Sequence, residues 1–411
     1  MAKEDTIKID TGLEVGRQKA EVASTQPVAP AIDRLTTSQQ AAVASALAPQ
    51  RGFQADEVAQ HVGSPADAAK LRESLTTMAS FAEIDIENER EVDAAMALYE
   101  SLFPNEDERE PREVIEGRLR DMAKIDTDPE LQEKYGQSRF HALVAHDHKG
   151  RVVAYSQFST MPLPEHGENL SFYQYSGIAS EEFMREHYGV EGGLRGGGHY
   201  YAIDAAKRLL ASQDAKKAGF ENGNAGAIFE SEFIGQAEAD DEEGLRFTQK
   251  RLEIHNRMGA KAIMLQMEDG SLVSPHMQPR LSAESNPILL LMLFRPPTYD
   301  KSAIGTTEEM DLGRAKAFVQ AYFNNFRQEG FEESDIAEAE AIVMAKFARA
   351  KRAVLVAPNQ LPDITELAKD DPDLMAQVKK DYIDPEAHAA AIKAAFAPET
   401  SGGEGSNDRG L

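Results

Sequence analysis

Apolar residues recur along this chain at two periods, and the switches between them outline its architecture. Val92–Phe103 (VDAAMALYESLF) carries apolar side chains at helical spacing and ends at Pro104, and a second helix opens at Pro111 and runs through Met122. His141–Ala145 and Arg151–Thr160 alternate or run apolar about the turn sequence HDHKG, which predicts a β-hairpin; Phe172–Ile178 (FYQYSGI) predicts a third, aromatic-rich strand. A glycine-rich turn then leads into a helix reaching Lys217, in which Ile203, Ala206 and Leu210 share one face. Ala225–Phe233 (AGAIFESEF) reads as a strand, Arg246–Met258 as a helix closed by Gly259, and Ala260–Met267 and Pro287–Phe294 as strands.

The predicted order is helix, helix, hairpin, strand, helix, strand, helix, strand, strand. That is an α+β fold, a mixed sheet flanked by helices on both faces, spanning residues 82–297. Residues 1–80 read as an N-terminal arm. Its first 35 positions are polar and Ala/Pro-rich without a period and are expected to be disordered, whereas Thr37–Ala48 and Ser64–Met78 (opening SPAD) read as short helices. Residues 298–398 turn mainly helical, with Leu312–Gln328, Glu333–Ala350 and Asp373–Ala397 as helices and Ala353–Pro358 as one isolated strand; 399–411 is a flexible tail.

Charge narrows the partners. Lys+Arg total 44 against 70 Asp+Glu in 411 residues, a formal charge of −26, so most of the surface repels nucleic acid and anionic lipid and suits a cationic partner. With no cysteine, disulfides, thiolate metal sites and cysteine nucleophiles are excluded. MAKEDTIKID lacks the apolar core of a signal peptide, and the apolar run Ile288–Phe294 is too short to span a bilayer, so the expectation is a soluble, cytoplasmic protein.

The chemistry starts at the glycine turn. Five of the seven residues Gly192–Gly198 are glycine, with Arg195 among them, and a helix follows without a gap. Unpaired first-turn N–H groups and a guanidinium make a seat for a pyrophosphate; the plainer alternative is a surface turn. Glu230 and Glu232 are acidic residues on an otherwise apolar strand, either bases or edge-facing carboxylates. His146 and His148 sit at a hairpin tip beside Lys149-Gly150, which argues for solvation rather than a metal site.

That order of elements, with Arg195-Gly196-Gly197-Gly198 before the helix, resembles the GNAT superfamily of N-acetyltransferases over Ala82–Pro296. Arg195, Gly198 and Tyr200 occupy the positions of the family's Q/R-x-x-G-x-G/A signature, with Tyr200 in place of a small residue. His255 stands where the family commonly has a tyrosine, four residues before Gly259, and SEEFMREHYGVEGGL intervenes before Arg195 where the family needs only a few residues. The resemblance implies an acyl-coenzyme A-dependent N-acyltransferase that moves an acetyl group directly to an amine, with acetyl-CoA as co-substrate and no metal. It implies that Arg195, Gly196, Gly197, Gly198, His199 and Tyr200 grip the pyrophosphate. Main-chain N–H groups of Gly177, Ile178 and Ala179 would polarise the thioester carbonyl where the family's strand splays. Glu230 or Glu232 would be the base and His255 the acid that meets the thiolate. Tyr173 and Tyr175 would line the acceptor pocket, and Glu106 and Asp107 of the NEDERE loop would draw in a cationic amine. Strand packing for the tyrosines and a helix-end role for His255 are the structural alternatives. A Rossmann-type site is disfavoured because Tyr201 stands where the third glycine belongs. A catalytically inactive binding or scaffold module of the same fold is the competing function. The region from Leu312 is left open as a cover over the acceptor site, a homodimer surface or a partner-binding surface.

Overall fold

The computed structural model describes residues 9–10, 53, 55–105, 109–194, 198–236, 241–280, 287–380, 390 and 393. Strand β1 (Ile9–Asp10), helices α1 (Ala55–Ala59) and α2 (Ala68–Ser74) and strand β2 (Met78–Glu83) precede three helices, α3 (Glu89–Leu102), α4 (Arg112–Lys124) and α5 (Pro129–Tyr135). The hairpin β3 (Arg139–Asp147) and β4 (Val152–Leu163) leads to β5 (Glu168–Ile178), α6 (Glu181–Tyr188), α7 (Gly198–Lys217), β6 (Gly223–Ser231), α8 (Glu242–Arg257) and β7 (Lys261–Met267). Short strands β8 (Leu272–Val273), β9 (Met277–Gln278) and β10 (Ile288–Leu289) come before β11 (Leu291–Arg295) and β12 (Glu308–Met310). Helices α9 (Leu312–Glu329) and α10 (Glu333–Arg349), strand β13 (Ala350–Val356) and helices α11 (Ile364–Leu367) and α12 (Pro372–Lys380) complete the described chain.

The strands form an 11-stranded sheet in the order β12-β13-β7-β11-β6-β5-β4-β3-β2, with β1 added to β5 and β8 to β7. Among the described pairs, β5 with β6 alone is parallel, as a crossover through α7 requires. Their pairing covers Glu168–Phe172 against Gly223–Ile228 and then stops. Beyond it β5 continues beside β4 to Ile178, and β6 continues beside β11 to Ser231. The two strands therefore diverge into a fork.

A bulge next to the fork re-aims β5. Gln157 faces Tyr175 and Phe158 faces Tyr173, which leaves Gln174 without an opposite number. Tyr173 and Ser176 consequently turn to α7, while Phe172 and Gln174 meet α9 and Tyr175 meets Tyr99 of α3. Phe229 of β6 faces His255 of α8, whereas its neighbour Glu230 faces Tyr322 of α9. Helices α7 and α8 thus cover one face of the sheet, and α3, α4 and α9 the other.

Helix α7 departs from its sequence pattern. Ile203, Ala206 and Leu210 are buried as their spacing demands, but so are Asp204, Lys207 and Arg208 on the polar side. Helix α2 lies across the outer side of α7: a Cβ on Gly198 would sit 3.2 Å from Lys70 O and 3.1 Å from Ser74 Oγ, and Lys70 Nζ lies 4.8 Å from the centroid of the Tyr201 ring.

Other departures are local. The stretch between Ile178 and Arg195 contains α6, N-capped by Ser180 Oγ, which accepts from Phe183 N, and closed by Gly189 at φ 65°. Pro287–Phe294 splits into β10, paired with β9, and β11, which enters the large sheet. Ala350–Val356 is not isolated, because it pairs with β7 on one side and β12 on the other. The C-terminal region therefore extends the central sheet as well as adding helices. Thr37–Ala48 lies outside the described residues. Among the described residues, no helix is long and apolar enough to cross a membrane, and no group of three or more His, Cys, Asp or Glu is placed to hold a metal ion.

Candidate functional site

At the fork the sheet, α7 and α8 enclose a cavity of about 30 Å³, lined by Tyr173, Ser176, Lys207, Phe229, His255 and Arg295 among others. That is room for roughly two waters. Its aromatic walls pack together: Tyr173 and Phe229 stack at 6.3 Å, and Phe229 lies 4.6 Å from His255 between centroids.

Its charges are unbalanced. Asp204 accepts from Arg208 Nε at 2.8 Å and from Arg295 Nη2 at 2.5 Å, so both its oxygens are engaged. Arg208 Nη1 also donates to the Pro296 carbonyl at 2.8 Å and to that of Pro297. Lys207 Nζ instead donates to Ser176 Oγ at 2.8 Å and lies 3.7 Å from the centroid of the Tyr173 ring. Three basic side chains, two of them bonded to the carboxylate, are thus buried around one acid. Burial opposes ionisation of Asp204, but Arg208, Arg295 and Lys207 outweigh it and hold the carboxyl down at about 2. Lys207 goes the other way, lowered to about 7 by burial and by the charges of Arg295 and Arg208, with Asp204 only partly compensating. His255 is pushed well below its ordinary range by burial and then by Arg295, Arg251 and Lys207. Both its ring nitrogens, and Arg295 Nε, are buried without a hydrogen-bond partner among the described residues.

The residues singled out from the sequence distribute unevenly about this cavity. Tyr173, Tyr200 and His255 line it. Burial and the neighbouring cations lower His255 there, which disfavours the imidazolium expected to meet a thiolate. Tyr175 faces the opposite side, edge-on to Tyr99 and Phe103. Gly177 is explained by packing, since a Cβ there would stand 2.5 Å from Leu102 Cδ1 of α3. Ile178 pairs with Ala154, and the Ala179 N–H is spent on Val153 O at 2.8 Å. Gly198 opens α7 against α2, and His199 Nδ1 lies 3.5 Å from Thr77 Oγ1. Arg195, Gly196 and Gly197 lie outside the described residues, as do Glu106 and Asp107.

Glu230 and Glu232 do not share a side. Glu230 is buried with Tyr322 Oη at 2.7 Å, His276 Nε2 at 2.8 Å and Gln278 Nε2 at 3.3 Å. Glu232, just past the strand end, accepts from Arg251 Nη2 at 2.8 Å and Thr248 Oγ1 at 3.1 Å of α8. The acidic loop does reach the sheet through its last residue. Glu110 binds Arg118 and Gln157, and Arg118 Nη1 also donates to Glu329 at 2.8 Å. Glu329 further accepts from Gln174 at 2.5 Å and Asn325 at 2.8 Å; burial, eased by Arg118 but reinforced by the Glu110 charge, raises it to about 7.

Ser176, Asp204, Lys207, Arg208 and Arg295 were not legible as site residues. The one available signal is the spacing of Asp204, Lys207 and Arg208 (i, i+3, i+4), which by period alone reads as a solvated stripe. Set against family models, curated proteins and solved structures, the chain matches none.

Proposed function

We propose that this chain is an acyl-coenzyme A-dependent N-acyltransferase acting on an amine, with a fold of the GNAT kind. The observation that carries the reading is the fork: the one parallel strand pair among the described residues, which parts after Phe172 and Ile228 beside a cation-rich cavity under the helix that follows the glycine turn. Support also comes from the order of elements around it. The Arg208 and Arg295 guanidiniums beside the single carboxylate of Asp204 suit the negative charge that develops on a thioester carbonyl as it is attacked. On the other face of β5, Glu110 and Glu329 bracket Arg118, an acidic cluster that suits a cationic amine. The donor would take the edge of β5 where Ile9 and Asp10 now pair with Ser176 and Tyr175.

The test is calorimetric titration of the full chain with acetyl-CoA. Heat is expected in the wild type, with affinity weaker by about 10-fold or more in Arg195→Ala, the loss of one charge-assisted contact to phosphate. No heat in either protein at millimolar ligand ends the reading.

Two observations favour the second reading, an inactive binding module. Helix α2 abuts the first residue of α7, and β1 occupies the β5 edge, so the cleft is filled by the chain itself. Release of coenzyme A in the presence of a panel of amines would count against it.

A further inference from the structure

We propose that Ser176 and Lys207 are a nucleophile and base pair that carries the acyl group covalently between donor and acceptor; this rests on the acyl-transfer reading but replaces direct transfer with an acyl-serine intermediate. Ser176 lines the cavity at the fork, and its Oγ stands 2.8 Å from Lys207 Nζ and 2.7 Å from Ser156 Oγ. Ser156 gives its own proton to the Tyr175 carbonyl at 3.0 Å, so it can only accept from Ser176. The Ser176 proton therefore has two destinations: Ser156 while Lys207 is an ammonium, and Lys207 Nζ once that amine is neutral.

Lys207 is not an ion-pair strut. It is 3% exposed, and both Asp204 oxygens are already occupied by Arg208 and Arg295. A buried ammonium whose hydrogen-bond partner is a serine is costly, and the cheaper state is the free amine. The groups that face it are Asp204 and Arg208 on its own helix, Arg295 on β11, Tyr173 on β5 and His255 on α8. Their balance brings Lys207 to about 7, so base and conjugate acid are both populated near neutrality. Arg295 lines the same cavity, and its Nε, without a partner among the described residues, is a donor for the oxyanion.

In the first step the neutral Lys207 amine takes the Ser176 hydroxyl proton as Oγ adds to the thioester carbonyl carbon. The C–S bond breaks, the sulfur leaves as thiol with the proton returned from Lys207, and an Oγ ester remains. The acceptor amine then adds to that ester, and its proton passes through Lys207 to Ser176 Oγ as the C–O bond breaks. An amide and free Ser176 result.

The experiment is intact-mass and peptide-mapping analysis of the acid-quenched full chain after mixing with acetyl-CoA. A second sample receives p-nitrophenyl acetate, which needs no coenzyme A site. The expected result is a gain of one acetyl group mapped to Ser176, absent in Ser176→Ala and moved to a hydroxylamine-labile thioester in Ser176→Cys. Lys207→Met should slow acylation about 100-fold, and the wild-type rate should rise with pH to a plateau through about 7. Coenzyme A release without an adduct overturns the intermediate and leaves direct transfer standing. An equal adduct in Ser176→Ala overturns the assignment. Acylation by the nitrophenyl ester alone supports the pair and removes the coenzyme A reading, while no reaction with either donor overturns both.

Discussion

Two buried cations on the same side of the sheet respond to pH in opposite senses. His141 Nδ1 is 2.6 Å from Glu83 and its Nε2 is 2.8 Å from Asp214. Burial works against its charge, but Asp214 and Glu83 win and raise it from 6.5 to about 10. Its contribution to stability is complete below pH 6.5 and is lost as pH rises through 10. Lys207 is depressed from 10.5 to about 7, so its ammonium burdens the fold below pH 7 and that burden lifts as pH climbs to 10.5. Between pH 7 and 10 the two slopes oppose each other in the wild type. Denaturant melts across that window should show stability falling with pH in Lys207→Met and rising in His141→Gln relative to the wild type. Parallel profiles in all three proteins would contradict the assignment of either charge.

Two glycines in strands β5 and β6 are fixed by different neighbours, and substitution should separate them. At Gly177 the three atoms nearest an added Cβ all belong to the buried side chain of Leu102, which ends α3. Gly177→Ala should cost about 1–3 kcal/mol of overpacking, and adding Leu102→Ala should make the double variant's loss smaller than the sum. Gly226 sits at φ +124°, where the register between β5 and β6 slips, and a Cβ there would stand 2.4 Å from the Arg295 carbonyl. That backbone cannot step aside. Gly226→Ala should cost about 3 kcal/mol or more, strain added to overlap, with no single side-chain truncation restoring it. Equal rescue at the two positions in equilibrium unfolding would refute this distinction.

The C-terminal third is integral to the core. Phe318, Tyr322 and Phe323 of α9 are fully buried, and Tyr322 and Phe326 pack on Phe172 beside the fork. Strand β13 pairs with β7 along most of its length, from Ala350 opposite Met267 to Val356 opposite Ala262. A chain cut after residue 297 loses that aromatic layer and bares the β7 edge. It should bind a hydrophobic dye and lose near-ultraviolet dichroism while keeping much of its far-ultraviolet signal. A cooperative thermal transition in the truncated chain, like that of the full one, would mean that residues 1–297 stand without the C-terminal third.

Much of the element order was legible because periodicity is a local property. Alternating or continuous apolar residues mark β3 and β4, aromatic residues mark β5, and the apolar spacing of VDAAMALYESLF marks α3, whatever lies across from them. The acidic surplus and the absence of cysteine likewise follow from composition. The site was legible only in part: Tyr173, Tyr200 and His255 do line the cavity, but Asp204, Lys207 and Arg208 carry the period of a solvated face. Tertiary structure reversed that reading, because the stripe faces the sheet, where Lys207 meets Ser176 and Tyr173 of β5 and Arg295 arrives at Asp204 from 91 positions along the chain. The fork and the bulge at Gln174 were decided in the same way. Strand pairing depends on which backbone comes to rest opposite, and burial of a charge depends on what covers it; neither is written in the spacing of the residues themselves.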